Sequence, residues 1–328
     1  MKKFQLYGVG NAILDMLGRV SDETFDKLVL TKSSMNLVSE DVQKKILHEL
    51  GDIEMTLASG GSAANTIITF QALGGKSSFS CMLGTDSYGD LYKKEFNELG
   101  VSIDATRLND KMTGTSLILI TPDAERTMNT CLGAAAELTA LQINEEYIAN
   151  SEWVYIEGYL LSQPNKGFSA ALKMAEMASR VGTKVALTFS DSFLVSGFRK
   201  ELDQILKYTD LIFANEDEGA TFTGLKNDHD IFNNLKKLIS GVVLTRREKG
   251  ALVAFNGKDY EVPAFPCEPV DMTGAGDTFA GAFLYGILSG CTPAQAGRGA
   301  CYLAMKTITQ IGARPKIDYA KSWNEAQI

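Results

Sequence analysis

Short apolar runs alternate with amphipathic stretches along most of the chain. "FQLYGVG" at 4–10 reads as a first strand, "DVQKKILHEL" at 41–50 as a helix, and "GSAANTIITFQALGG" at 61–75 as a helix closed by glycine. "SSFSCMLG" at 77–84 has a strand pattern, and "DLYKKEFNELG" at 90–100 is another helix with a glycine stop. Farther on, "EWVYIEGYLL" (152–161), "FSAALKMAEMASRVG" (168–182), "KVALTFS" (184–190), "DLIFANEDEG" (210–219) and "GVVLTRREKGALVAF" (241–255) read as strand, helix, strand, strand and strand. This alternation predicts βαβ units, and so one large α/β domain with a mainly parallel sheet flanked by helices.

Two stretches break the rhythm. Residues 17–38 and 104–130 lack helical periodicity and alternate like half-exposed strands, with Asn-Asp and Pro-Asp turns in the second. They predict a small β-sheet lid inserted twice into a large domain of residues 1–16, 39–103 and 131–328. No repeat or linker separates the pieces, so hinges are expected near residues 16, 38, 104 and 131.

Composition narrows the partners. The 328 residues are 45% hydrophobic and 22% charged, the profile of a globular protein with a sizeable core. A formal net charge of −8 leaves no basic footprint for nucleic acid or an anionic membrane. The start, "MKKFQLYGVGNAILDM", breaks its apolar run with glycine, asparagine and aspartate, and nowhere do about 18 apolar residues follow one another. A cytoplasmic protein is expected. Five cysteines far apart, with no C-x-x-C pair, suggest neither a disulfide framework nor a zinc knuckle. His48 and His229, the two histidines, sit in no H-E-x-x-H pattern, so the chemistry should run on carboxylates.

Two glycine-rich stretches are decoys. "GVGNAI" at 8–13 has Ile13 where a dinucleotide fingerprint needs its third small residue, and "GGKSS" at 74–78 has Phe70 where a P-loop needs its first glycine. "DMTGAGDTFAGAF" at 271–283 makes better mechanical sense. Phe279, Phe283 and Ile287 share one face, predicting a buried helix that begins at about Gly276 or Asp277. The amides of Gly274, Ala275 and Gly276 then sit at a helix N-terminus, where free N–H groups and the macrodipole favour an anion such as a phosphate. Asp277, in the first turn, is placed to take a proton from an attacking hydroxyl while those amides stabilise the charge on a transferring phosphoryl group. An isolated G-x-G-D also fits an acid that only caps the helix.

"DMTGAGDTFAGAF" closely resembles the C-terminal signature of the ribokinase-like sugar and nucleoside kinases, the PfkB family, and "SGGSAANTIITFQALGG" at 59–75 resembles their N-terminal signature. The resemblance extends over nearly the whole chain. It implies an ATP-dependent phosphotransferase using Mg²⁺, with a Rossmann-like domain and a β lid, acting on a small molecule as a monomer or as a lid-mediated homodimer. "GNAILD", "EGYLL" and "ERTMNTCLGAA" are more similar to the adenosine-kinase side of the family than to its ribokinases. Phosphoryl transfer to the 5′-hydroxyl of a nucleoside is therefore expected. A sugar kinase acting on ribose, fructose or a related compound is the rival within enzymes, and a non-catalytic nucleoside sensor the rival of another class.

By this resemblance Asp277 matches the catalytic base, and Gly274, Ala275 and Gly276 match the anion hole. Asp15 matches the carboxylate that binds sugar hydroxyls, since one carboxylate accepts from two neighbouring hydroxyls. Gly60, Gly61 and Asn65 match the residues that shape the sugar pocket. Asn215 and Glu218 match the N-x-x-E associated with magnesium and phosphate, although alone they would read as a helix start. Arg126 matches an arginine that reaches the phosphates from the lid, a task suited to an always-charged planar fork. Thr245 and Gly250 match the strand and turn beside the nucleotide. Arg247 departs from a usual glycine, which puts the local backbone in question, and Met272 replaces a commoner small polar residue. Monovalent-cation activation occurs in part of the family, and Asp271 and Gly312 lie in the segments it would involve. Among the lid's apolar residues, Leu17, Met35, Leu37, Leu117 and Leu119 are candidates either for contact with the base or for the lid's own core.

Overall fold

The computed structural model describes residues 2–123 and 125–328; Met1 and Ala124, assigned above to the large domain and the lid, lie outside the described residues. The strands are β1 (Phe4–Val9), β2 (Ile13–Arg19), β3 (Met35–Leu37), β4 (Met55–Gly60), β5 (Ser77–Gly84), β6 (Ser102–Leu108), β7 (Gly114–Ile120), β8 (Arg126–Cys131), β9 (Ser151–Glu157), β10 (Lys184–Thr188), β11 (Leu211–Asn215), β12 (Gly241–Thr245), β13 (Ala251–Phe255) and β14 (Lys258–Val262). They form a nine-stranded sheet in the order β14-β13-β12-β11-β10-β9-β1-β5-β6 and a five-stranded sheet in the order β3-β8-β7-β2-β4. From β6 to β12 every neighbouring pair in the large sheet is parallel, while β13 and β14 pair antiparallel at one edge.

Central strands of a parallel sheet are apolar on both faces because helices cover both. On β9, Trp153 and Tyr155 join the core under helices Ser62–Ala72, Ala275–Leu288 and Pro293–Ile308, whereas Val154 and Ile156 join the opposite core under helices Gly167–Val181 and Arg199–Leu206. The small sheet is one-sided. Met16, Leu117 and Leu119 pack outward against Ile46 and Leu50 of helix Glu40–Leu50 and Phe25 of helix Asp22–Lys27. The other face of the small sheet carries Ile13, Asp15, Ser116, Met128 and Thr130, from β2, β7 and β8, into a cavity. Leu117 and Leu119 are thus core of the small sheet, Met35 and Leu37 line the cavity, and Leu17 shares the face of Asp15 without lining it.

Several boundaries differ from the sequence reading. The small sheet begins at Ile13 and includes β4, since β2 pairs with β4 along its length; both fall partly or wholly in the expected large domain. Residues 104–108 belong to β6, paired with β5 in the large sheet. As an edge strand β6 is half-exposed, so its alternation matched that of a lid strand. Residues 22–27 form a short helix capped by Ser21, too short for its period to register. "GVVLTRREKGALVAF" is a hairpin, with β12 and β13 antiparallel about a turn at Arg247–Lys249; both arms are buried, which made them read as one apolar strand. The chain passes between the sheets at residues 10–12, at Gly61, at 109–113 and at 132, rather than near 16, 38, 104 and 131.

Candidate active site

The crossings at Asn11, Gly61 and Leu132, together with the carboxyl ends of the parallel strands, bound a cavity of about 470 Å³, within the usual size range of small-molecule sites. Glu157, Thr188, Asn215 and Thr245 line it from the last positions of β9, β10, β11 and β12. Ligands of open α/β sheets bind at this end.

Asp277 enters from helix Ala275–Leu288, which starts earlier than expected because Gly274, at φ +78°, is its N-cap. A Cβ on Gly274 would lie 2.3 Å from the Ala313 carbonyl oxygen, so the left-handed turn requires glycine. The first backbone bond of the helix runs from Thr278 N to Gly274 O at 2.8 Å, and Ala275 N leans toward Met272 O at 3.4 Å. Gly276 N and Asp277 N have no partner among the described residues, leaving two donors open toward an anion. The Asp277 carboxylate accepts from Ser62 Oγ at 2.7 Å and from Asn65 Nδ2 at 3.1 Å. Burial pushes this carboxyl up to about 6, against the pull of the same two hydrogen bonds.

Asp15 projects from β2 into the cavity. Gly60 pairs with Ile13 on β2, diagonal to Asp15, and a Cβ there would lie 2.6 Å from Asp15 Oδ2, so this glycine makes room for the carboxylate. Gly61, at φ +103°, turns the chain from β4 into helix Ser62–Ala72, and a Cβ there would meet Asn11 O at 2.1 Å. Burial raises the Asp15 carboxyl to about 7, with Arg314 and then Arg126 opposing. Arg314 is held by Glu95 at 2.7 Å, whose other oxygen accepts from Ser59 N.

Glu157 is a residue that the sequence reading passed over. Its buried carboxylate accepts from Asn11 N and Asn11 Nδ2, both at 2.8 Å, and from Ala63 N at 2.7 Å, which ties the β1–β2 crossing to the start of helix Ser62–Ala72. Burial lifts it to about 7. Asn11 Oδ1 and Asn65 Oδ1, both buried, lack a hydrogen-bond partner among the described residues. Ser62 was also missed, standing in the glycine-rich signature as an ordinary first helical residue.

Matches to a kinase profile decide the family. The description "pfkB family carbohydrate kinase" matches residues 27–319. The chain belongs to this family. Its members are phosphotransferases with alcohol acceptors, and this kinase is one of them. The chain is 32% identical to a probable sugar kinase from Rhizobium etli (TM-score 0.89) and 31% identical to adenosine kinase from Sinorhizobium meliloti (TM-score 0.88), in each case over 99% of both chains. A ribokinase from Haemophilus influenzae is 29% identical over 80% of this chain and 84% of its own length.

The remaining expected residues of the kinase divide. Asn215 and Glu218 line the cavity, but as a reciprocal cap: Asn215 Oδ1 accepts from Glu218 N, and the Glu218 carboxylate accepts from Asn215 N and Nδ2. Burial raises Glu218 to about 7. With both of its oxygens engaged, Glu218 suits a magnesium ion held through water better than direct ligation. Among the described residues no cluster of three or more metal-ligating side chains occurs, and no helix is long and apolar enough to cross a membrane. Thr245 lines the cavity. Gly250 does not: it closes the β12–β13 turn at φ +82°, where a Cβ would lie 2.0 Å from Val262 O, so its role there is steric. Arg247 keeps a left-handed backbone at φ +49°, and its guanidinium rests on Glu216 and Asp217. Met272 is exposed. Arg126, expected on the phosphates, is engaged by Asp271 and Thr273.

Proposed function

We propose that this kinase transfers the γ-phosphoryl group of ATP to a primary hydroxyl of a nucleoside, adenosine-like in kind. The observation that carries the reading is Asp277: a carboxylate held by Ser62 and Asn65 at a helix start whose next free donors are backbone amides. The acceptor oxygen forms a bond to the γ-phosphorus as the bond to the β–γ bridging oxygen breaks. ADP leaves with that electron pair, and the acceptor proton passes to Asp277. The amides of Gly276 and Asp277 meet the charge on the transferring group. Glu218 would hold a magnesium ion through water, and the ion would supply charge neutralisation of the ATP phosphate oxygens.

Asp15 accepts from two sugar hydroxyls, while Asn11 Oδ1 and Asn65 Oδ1, buried without donors of their own, supply further acceptors. The nucleoside rather than a free sugar is favoured by the cavity's apolar part. Met35, Leu37, Met128, Leu132 and Phe193 offer more apolar lining than a pentose needs and suit a flat heterocycle. The likeness to a probable sugar kinase is the observation behind the other reading, a free-sugar acceptor. Incubation with Mg-ATP and a panel of adenosine, guanosine, inosine, cytidine, ribose and fructose, following ADP and phosphorylated product, separates them. Turnover concentrated on adenosine is expected. Preference for ribose or fructose would overturn the nucleoside reading, and ligand binding without turnover would make the protein a sensor.

A further inference from the structure

Helix Ser87–Glu98 grips the end of β4 with two residues of one face. Tyr92 donates its hydroxyl to Gly60 O at 3.0 Å, and Glu95 accepts from Ser59 N at 2.8 Å. Arg314 Nη2 donates to the other Glu95 oxygen at 2.7 Å, the two side chains being 16% and 29% exposed. On one side this bridge ends beside Asp15, since Ser59 pairs with Leu14 and a Cβ on Gly60 would lie 2.6 Å from Asp15 Oδ2. On the other side the chain continues from Arg314 into Ala313, which lines the cavity and packs its carbonyl against Gly274. Burial pushes the Asp15 carboxyl up to about 7; Arg314 and then Arg126 favour its ionised form, while Asp277 and Glu95 disfavour it. Only the ionised carboxylate offers both oxygens purely as acceptors to neighbouring hydroxyls.

We propose that Arg314 is a positioning residue for the acceptor. Braced by Glu95, it fixes the end of β4 beside Asp15 and balances the charge of that carboxylate. This role rests on Asp15 binding the sugar hydroxyls of the acceptor.

The test measures binding of adenosine to the full-length protein at pH 6 and pH 9, together with KM for ATP. Arg314→Gln keeps a donor for Glu95 but removes the charge. If Asp15 then rises by about one unit, adenosine affinity falls about tenfold at pH 6 and less than about twofold at pH 9. KM for ATP stays within about twofold, and Arg314→Lys, which restores the charge, binds adenosine within about threefold of the wild type at both pH values. A brace without an electrostatic role would not follow pH, so an equal loss at both values, or no loss, would overturn the proposal. So would an Arg314→Lys protein that binds more than about threefold more weakly than the wild type, and this variant decides by itself if Arg314→Gln fails to fold. A wild type that binds ribose or fructose in place of adenosine would refute the nucleoside reading alone, and the same comparison is then made with that sugar. A wild type that binds none of the three would remove Asp15 from the acceptor and overturn the role of Arg314 with it.

Discussion

Ser62→Ala removes one of the two side-chain donors that hold the Asp277 carboxylate, the 2.7 Å bond, and leaves Asn65 at 3.1 Å. A hydrogen bond to a charged group contributes about 1.5–3 kcal/mol. One pKa unit corresponds to about 1.4 kcal/mol, so the loss is equivalent to about 1–2 units. Asp277 is half-buried, and water entering the vacated space recovers part of this, which favours the lower figure. The carboxyl should therefore move from about 6 to about one unit higher. A base must be ionised to accept a proton, so kcat/KM for the acceptor rises with pH through this value. The ionised fraction at pH 6 then falls from about one half to about one tenth, a loss of about fivefold, whereas at pH 8 the variant loses only about a tenth of its activity. ADP release followed from pH 5 to pH 9 measures both. A uniform loss at every pH with an unmoved inflection would refute the reasoning, because Ser62 would then be acting on the substrate and not on the ionisation of Asp277.

Other perturbations probe other parts of the site. Gly60→Ala places a methyl 2.6 Å from Asp15 Oδ2 and should raise the acceptor KM about tenfold, with KM for ATP nearly unchanged; an unaltered acceptor KM would detach Asp15 from the acceptor. Arg247→Gly relieves a left-handed backbone at about 1–2 kcal/mol but removes two exposed ion pairs and adds chain entropy, so thermal stability should stay within about 1 kcal/mol of wild type. Glu157 is raised by burial from 4.5 to about 7. Its contribution to stability is present below its ordinary pKa and lost as pH rises through about 7, up to about 3 kcal/mol in all. Glu218 pushes in the same direction. Ligand-free protein should therefore melt higher at pH 5.5 than at pH 8, and a melting temperature rising steadily over that range would contradict these environments.

The central sheet was legible because its inner strands form short, mostly apolar runs and some of its helices, such as Gly167–Val181, stop at glycine, two signals that survive without knowledge of neighbours. The small sheet was only half legible. An edge strand of one sheet and a strand of another both alternate, and alternation carries no partner identity, so β6 was assigned to the wrong sheet. β4 escaped because its burial rises along its length from exposed to buried, giving no clean period. The site shows the same division. The stretch Gly274–Asp277 could be read from local pattern, since a left-handed cap at a helix start is a local requirement, whereas Gly60, Gly61 and Asn65 were legible only through the family resemblance. Ser62 and Glu157 matter through partners far away in the chain, Asp277 for the first and Asn11 for the second, and no local pattern records such pairings.

The division of the site between two sheets explains why those distant contacts exist. Asp15 belongs to the small sheet and Asp277 to a helix packed on the large one, so on the proposed reading, aligning an acceptor with a base requires the sheets to hold a set relation. Three contacts cross that boundary at the crossings and the loop: Glu157 with Asn11 and Ala63, Glu95 with Ser59 and Arg314, and Asp271 with Arg126. Each is made by a carboxylate, and a carboxylate accepts several donors at once, which lets a single side chain fix two or three chain segments. The net charge of −8 reflects an excess of acids, and these three show one use of it in the interior. A buried carboxylate must be satisfied by donors or cancelled by a cation. Glu157 is satisfied by amides and Glu95 by Arg314. Asp271 is met by the amides of Thr273 and Gly312 and by Arg126 of the small sheet, which links that sheet to the loop before Gly274.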